Sequence, residues 1–313
     1  MAELQFLVPV DGSENSNAAA RHAVELACRY GADISTMFVV DDRKYRTPDL
    51  VEVVMSAGEE YVGQVRKLAE GHGIVVRSVK VLVGSPIEEI LKEAKAMNVL
   101  MIVMAACGED HVEPPFIGSV ANRVLRQSAS HVLLVRKTEN MEHYREILIP
   151  TDGSDDAMYA ANAGMSLAKR YDAGVCACTI VDSKDKIIER HVTTLKEVER
   201  GMVLGDTLIY PEAIVKRMRK RLFDEASKIA EEVREIAAKN GVSAEILVRD
   251  GKAAPEILKI VKEKNVDLVV LGSHGRGTLS RTMAGPVSEK VASMVECSVL
   301  VVRSSRAEET LPE

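Results

Sequence analysis

The sequence predicts an α/β protein made of two doubly wound, five-stranded parallel sheets in tandem, each with strand order 3-2-1-4-5. Three observations lead there. The segment FLVPVDGS at residues 6–13 returns as ILIPTDGS at residues 147–154. Within each copy, short Val/Ile/Leu-rich runs alternate with stretches of helical spacing, the pattern of parallel strands joined by right-handed helical crossovers. The fourth and fifth strands of each copy, residues 99–104 with 131–136 and 266–271 with 298–303, are nearly continuous apolar runs, as strands buried on both faces require.

The repeat sets the domain organisation. From residues 6–41 to residues 147–182 about 14 of about 36 positions are identical without a gap, which marks a duplicated domain. Further on, Gly84 faces Gly251, and each stands six residues before an Ile-Leu pair (Ile90-Leu91 and Ile257-Leu258). The second copy therefore carries about 26 extra residues, lying roughly between 183 and 211. The domains are placed at 1–140 and 141–313, with a linker near 138–144. Val215, Met218, Leu222, Ile229, Val233 and Ile236 recur at helical spacing and predict one long helix after the insert. The final strands, around Val132–Val135 and Val299–Val302, present apolar edges that must be covered, so the two copies are expected to pair through them. Further association of two chains into a homodimer is also compatible with this pattern.

Bulk properties narrow the classes. The chain has 313 residues, 46% hydrophobic and 28% charged, with a net charge of −6, a globular profile with room for two cores. The negative balance argues against a general nucleic-acid or membrane-surface binder. No apolar run reaches the roughly 18 to 20 residues of a transmembrane helix. The opening Met1-Ala2-Glu3-Leu4-Gln5 lacks the basic and apolar segments of a signal peptide. Five scattered cysteines do not form a disulfide framework, and a reducing cytoplasm is the expected location.

In a sheet of this order the loops after strands one and four diverge at the topological switch point, where ligands bind. Strand one ends at Asp11 or Asp152, and strand four at Ala105 or Gly272. The second copy continues as Gly272-Ser273-His274-Gly275-Arg276-Gly277, and its last helix opens with Gly285-Pro286-Val287-Ser288. Glycines let backbone amides approach an anion, a helix N-terminus adds donors and a positive dipole end, and Arg276 adds a formal charge. Together they describe a phosphate site. The competing reading is that the glycines make only a tight turn.

The spacing Gly272-x-x-Gly275, nine residues, then Gly285 resembles the Gly-x-x-Gly-(nine)-Gly-Ser/Thr signature of ATP-binding universal stress proteins, and the Pro-x-Asp-Gly-Ser opening of both copies is similar to the same family. The resemblance spans nearly the whole chain apart from the insert and tails. It implies the flavodoxin- or Rossmann-like fold described above and an adenine nucleotide, ATP or AMP, with magnesium as a candidate companion. It also implies that the aspartate after strand one and a backbone group at the end of strand two hold adenine. In copy two these are Asp152, following Pro150, and Ile180; in copy one they are Asp11, following Pro9, and Val39.

Each copy departs from the signature. In copy two Pro286 replaces Ser or Thr, which suits the first helical turn but removes a hydroxyl and an amide donor; the amides of Val287 and Ser288 and the Ser288 hydroxyl remain. In copy one Ala105 replaces the first glycine, while Gly108, Gly118 and Ser119 keep the register, and Glu109, Asp110 and Glu113 bring negative charge. Carboxylates repel a triphosphate, so copy two is expected to be the stronger site.

The other polar features have simpler readings. Cys176 and Cys178 alternate on strand two and read as buried, inert thiols, because no matching metal ligands accompany them. His274 either touches phosphate or caps its turn. His22 and His72 read as solvated. The basic run Lys216-Arg217-x-Arg219-Lys220-Arg221 reads as a solvated helix face. Residue order alone assigns no Ser/His/Asp or Cys/His catalytic constellation, and no Gly-Lys-Ser/Thr phosphate loop occurs. The expected function is adenine-nucleotide binding in a regulatory or protective stress role, without an enzymatic one. A nucleotide-free interaction scaffold is the first alternative and a slow ATP hydrolase the second.

Overall fold

The computed structural model describes residues 4–108, 116–136, 143–183, 202–204, 207–209, 212–275 and 284–304. The first half runs β1 (Gln5–Val10), α1 (Glu14–Tyr30), β2 (Asp33–Asp41), α2 (Pro48–Gly71), β3 (Val76–Gly84), α3 (Pro86–Ala96), β4 (Met101–Ala105), α4 (Ser119–Gln127) and β5 (His131–Val135). The second half runs β6 (Glu146–Pro150), α5 (Asp155–Tyr171), β7 (Gly174–Val181), then β8 (Met202–Leu204) and β9 (Thr207–Ile209) within the insert. It continues with α6 (Glu212–Lys239), β10 (Ala244–Asp250), α7 (Ala253–Lys264), β11 (Leu268–Gly272), α8 (Pro286–Met294) and β12 (Ser298–Val302). The predicted long helix is α6.

Local chemistry explains the boundaries. Proline occupies the first turn of α2, α3 and α8, where its missing N–H costs nothing and its fixed φ favours the helix. Ser13 and Ser154 cap α1 and α5, each hydroxyl accepting a first-turn amide, from Ser16 at 3.1 Å and from Ala157 at 3.4 Å.

The strand order is β10-β7-β6-β11-β12-β5-β4-β1-β2-β3. Each half has the expected 3-2-1-4-5 arrangement, but the two sheets are one: β5 and β12 pair antiparallel, with Val299 opposite Leu134, Leu300 opposite Leu133 and Val301 opposite Val132. The apolar edges cover each other. All other pairs in this sheet are parallel. Consecutive residues point to opposite faces, and each face carries one core running through both halves. Phe6, Leu133, Ile147 and Leu300 lie in one core, and Leu7, Val132, Leu148 and Val299 in the other.

The join has approximate two-fold symmetry. Arg29 donates to the Arg170 carbonyl at 2.7 Å and Arg170 to the Arg29 carbonyl at 2.8 Å. Each guanidinium lies over the other half's tyrosine ring, Arg29 on Tyr171 at 4.1 Å and Arg170 on Tyr30 at 4.2 Å, contacts that add cation–π attraction to packing. On the opposite face Arg136 donates to the Ala292 carbonyl at 3.0 Å, and Arg303 donates to the Leu125 carbonyl. Both arginines are buried. Desolvation lowers the basicity of each, bringing Arg303 to about 10.

One expectation fails at this interface. His22 is 4% exposed rather than solvated. Its Nε2 lies 2.7 Å from the hydroxyl of buried Tyr144, at the end of the expected linker. His72 is exposed at the end of α2. Lys216, Arg217, Arg219, Lys220 and Arg221 are exposed along α6, as expected of a solvated face. Within the insert β8 and β9 form an antiparallel two-stranded sheet. Its remaining residues 184–201, 205–206 and 210–211 lie outside the described residues. Among the described residues no helix is long and apolar enough to cross a membrane.

Because Leu300 is buried in the ladder that joins the halves, Leu300→Ala should lower unfolding free energy by about 2–5 kcal/mol. Urea denaturation followed by circular dichroism checks this, with exposed Lys220→Ala expected to change it by less than about 0.5 kcal/mol.

Candidate functional site

The crevices form where the ladders part. β1 pairs with β2 at six positions but with β4 at only two, Phe6–Met101 and Leu7–Ile102. β6 meets β11 at only Ile147–Leu268 and Leu148–Val269. Beyond those pairs the carboxyl ends of the strands separate, and a cavity opens in each half.

The second-half cavity has a volume of about 210 Å³. Pro150 and Asp152 reach it from the end of β6, and Ile180 from β7. Gly272, His274 and Gly275 come from the loop after β11, while Gly285, Val287 and Ser288 come from the start of α8. Nine of the ten residues expected here thus line one cavity, and Arg276 lies outside the described residues. The first-half cavity, about 410 Å³, brings together all six residues expected there: Pro9, Asp11, Val39, Gly108, Gly118 and Ser119. Sequence reasoning missed Lys44 and Tyr45, which line it from the loop after β2. Glu109, Asp110 and Glu113 lie outside the described residues.

The Asp-Gly-Ser opening is a turn with two jobs. Asp11 Oδ1 accepts from the Ser13 amide and Asp152 Oδ1 from the Ser154 amide, both at 3.0 Å. Gly12 and Gly153 take φ of +85° and +74°, a region that penalises any Cβ. The serine then caps the helix. This holds each aspartate at the crevice, with its second oxygen turned to the opposite loop. A Cβ on Gly108 would fall 2.2 Å from Asp11 Oδ2, and one on Gly275 would fall 2.6 Å from Asp152 Oδ2. A side chain on the second glycine of the loop would therefore displace the aspartate carboxylate facing it.

Two roles expected in copy two change. Gly272 was expected to admit an anion, but a Cβ there would sit 2.6 Å from the Asp156 carbonyl carbon. Close packing of α5 against the end of β11 demands the glycine. The Ser288 hydroxyl, expected to be available to phosphate, is buried and donates to the Gly272 carbonyl at 2.7 Å. The amides of Val287 and Ser288 stand in the first turn of α8, where helix geometry provides no acceptor. They and the positive helix end remain oriented for a negative group.

Behind this wall lies a polar cluster that sequence reasoning did not find. Asp156 Oδ2 accepts from Ser273 Oγ at 2.5 Å and from the His274 amide at 2.9 Å, and lies 3.1 Å from His274 Nδ1. Burial pushes the Asp156 carboxyl up, but hydrogen bonds from Ser273, Ser304 and His274 outweigh it and hold the group below its usual range. Asp156 reads in the sequence only as a helix first-turn acid, and its partners stand more than 100 residues away. The first half has Asn15, Ala106 and Cys107 at the corresponding places. Cys176 and Cys178 are buried, and desolvation pushes both thiols up, Cys176 to about 11, as inert thiols require. Among the described residues no cluster suited to a metal ion occurs.

Comparison with known proteins fits this architecture. The description "Universal stress protein family" matches residues 5–136 and again 143–303. The chain is 34% identical over 160 residues to universal stress protein YxiE of Bacillus subtilis, covering 51% of this chain and 99% of that protein. A universal stress protein of Mycolicibacterium smegmatis is 25% identical over 327 residues, covering 96% and 97% of the two chains. The crystal structure of a universal stress protein from Archaeoglobus fulgidus superposes with a TM-score of 0.68 at 20% identity, covering 97% of this chain and 99% of that one, a likeness of fold. This protein belongs to the universal stress protein family, with two family domains in one chain.

The packing of Gly272 against α5 makes a specific claim. Gly272→Ala should destabilise the protein by about 1–3 kcal/mol through overpacking against main chain. Gly285→Ala, whose added Cβ would meet the Ser273 carbonyl oxygen at 3.2 Å, should cost less. Thermal denaturation of the two variants checks the order.

Proposed function

We propose that the protein binds an adenine nucleotide, ATP or AMP, in the crevice of its second half and uses the bound state as a regulatory signal in a stress response. The carrying observation is the convergence of Asp152, Ile180, the Gly272–Gly275 loop and the first turn of α8 on one cavity at a topological switch point. Following the family resemblance, the base lies toward Asp152 and the β7 end, and the phosphates toward the loop and the α8 amides. There the helix dipole and unpaired first-turn donors favour negative charge. A bound nucleotide then bridges the two loops that the sheet holds apart, which favours the arrangement in which they are closed on it. The first-half crevice, with Asp11 in the same place but Ala105 and Cys107 in its loop, is the weaker of the two sites.

Asp152→Ala should remove most nucleotide binding, a loss of at least about tenfold in affinity for a charge-assisted contact of about 1.5–3 kcal/mol. Asp11→Ala should leave most binding intact. Calorimetric titration of ATP and AMP into both variants checks the ranking, and the reverse order would overturn it. Native mass spectrometry of freshly purified protein provides an independent reading: a retained adenine nucleotide supports the proposal, and a chain that neither carries nor takes up nucleotide refutes it.

A further inference from the structure

We propose that His274 is a proton-linked clamp on the nucleotide: the second-half site takes up its phosphate together with one proton, carried on His274 Nε2 and held in place by Asp156. The inference rests on the nucleotide reading above and specifies how that site is regulated.

The hydrogen bonds fix the state of the ring. Asp156 Oδ2 is the acceptor for Ser273 Oγ at 2.5 Å, which uses the only proton that hydroxyl owns. Toward His274 Nδ1, 2.8 Å away, Ser273 Oγ is therefore an acceptor, and so is Asp156 Oδ2 at 3.1 Å. Both neighbours demand a proton on Nδ1. In the neutral ring Nε2 is then the bare nitrogen. That nitrogen is buried and has no hydrogen-bond partner among the described residues, and His274 is one of the residues that line the cavity.

A proton placed on Nε2 would be a donor with no acceptor among the described residues. A phosphate oxygen in the cavity supplies the acceptor and the opposite charge at once. Ligand and proton thus stabilise each other's binding, and linkage requires that the effect run both ways. Asp156 supplies the counter-charge behind the ring.

Among the described residues the other charged groups around His274 are few. From the turn after β6, Asp152 reaches toward Gly275, adding a second carboxylate in front. From the end of β12, buried Arg303 interacts with Asp156. On α8 the nearest turn presents Ser288, already bound to the Gly272 carbonyl, while Glu289 pairs with Arg126 of the first half at 3.4 Å. The wall from α7 is apolar, Ala253 and Ile257. The first half has Asn15, Ala106 and Cys107 in place of Asp156, Ser273 and His274, and no such device is available there.

The test is calorimetric titration of ATP into the full-length protein, its His274→Gln variant and its Asp156→Asn variant. Runs between pH 6 and pH 8 in two buffers of different ionisation enthalpy count the protons taken up. ATP itself titrates in this range, and the His274→Gln protein carries that contribution alone, so the difference isolates the histidine. From pH 6 to pH 8 the wild type should weaken about tenfold more than His274→Gln, with up to about one extra proton taken up per nucleotide. Asp156→Asn, with circular dichroism unchanged, should lose most of that extra uptake. Identical pH profiles and proton counts for wild type and His274→Gln would overturn the clamp while leaving nucleotide binding intact, and full linkage retained in Asp156→Asn would overturn the role of the carboxylate. Absence of ATP binding to the wild type at every pH would overturn the nucleotide reading itself, and the clamp with it.

Discussion

The antiparallel pairing of β5 with β12 is the constraint on which the remainder of the structure rests. A parallel sheet ends in strands whose faces and edges are equally apolar, and an uncovered edge of that kind invites aggregation. Here each half supplies the cover for the other, and ten strands share one core on each face. The relation is isologous, as in a two-fold dimer: Arg29 meets Tyr171 as Arg170 meets Tyr30, and each buried arginine after a final strand reaches a carbonyl across the join. The two crevices are thereby fixed on one rigid sheet, one on each side of the pseudo-axis.

Much of this arrangement was legible in the sequence because its signals are local. The duplication is read by direct comparison of two short segments, and the apolar runs of β4, β5, β11 and β12 and the spacing along α6 each lie within a few dozen residues. The site's membership was legible for the same reason: turn, glycine loop and helix start each have their own short pattern, and the strand order brings them together. What escaped depends on partners distant in the chain. His22 reads as a surface helix residue until Tyr144, 122 positions later, is seen against it. The glycine at 272 reads as a phosphate contact until the backbone of Asp156 is found where its side chain would be. The Ser288 hydroxyl reads as free until the Gly272 carbonyl is placed beside it.

The Asp156–Ser273–His274 cluster belongs to the same group and bears on how the halves differ. Measured by volume, the first crevice is the larger, about 410 Å³ against 210 Å³. Measured by polar organisation behind the loop, the second is the more developed. Its carboxylate is held ionised by hydrogen bonds against the pull of burial, and that charge fixes a histidine in the wall. Shared backbone geometry and unshared side chains thus separate what the duplicated fold provides from what each site does with it.

Covalent fusion across the β5–β12 join has a consequence for how such a protein can change. In a dimer of identical chains every substitution is made twice, once in each pocket, and a residue that improves one purpose is imposed on both. With both pockets in one chain that coupling is gone. Asn15 and Asp156, Ala106 and Ser273, Cys107 and His274 are pairs no homodimer could present together. The constraint of symmetry is kept at the seam by the paired arginine contacts, while at the crevices the copies are free to specialise.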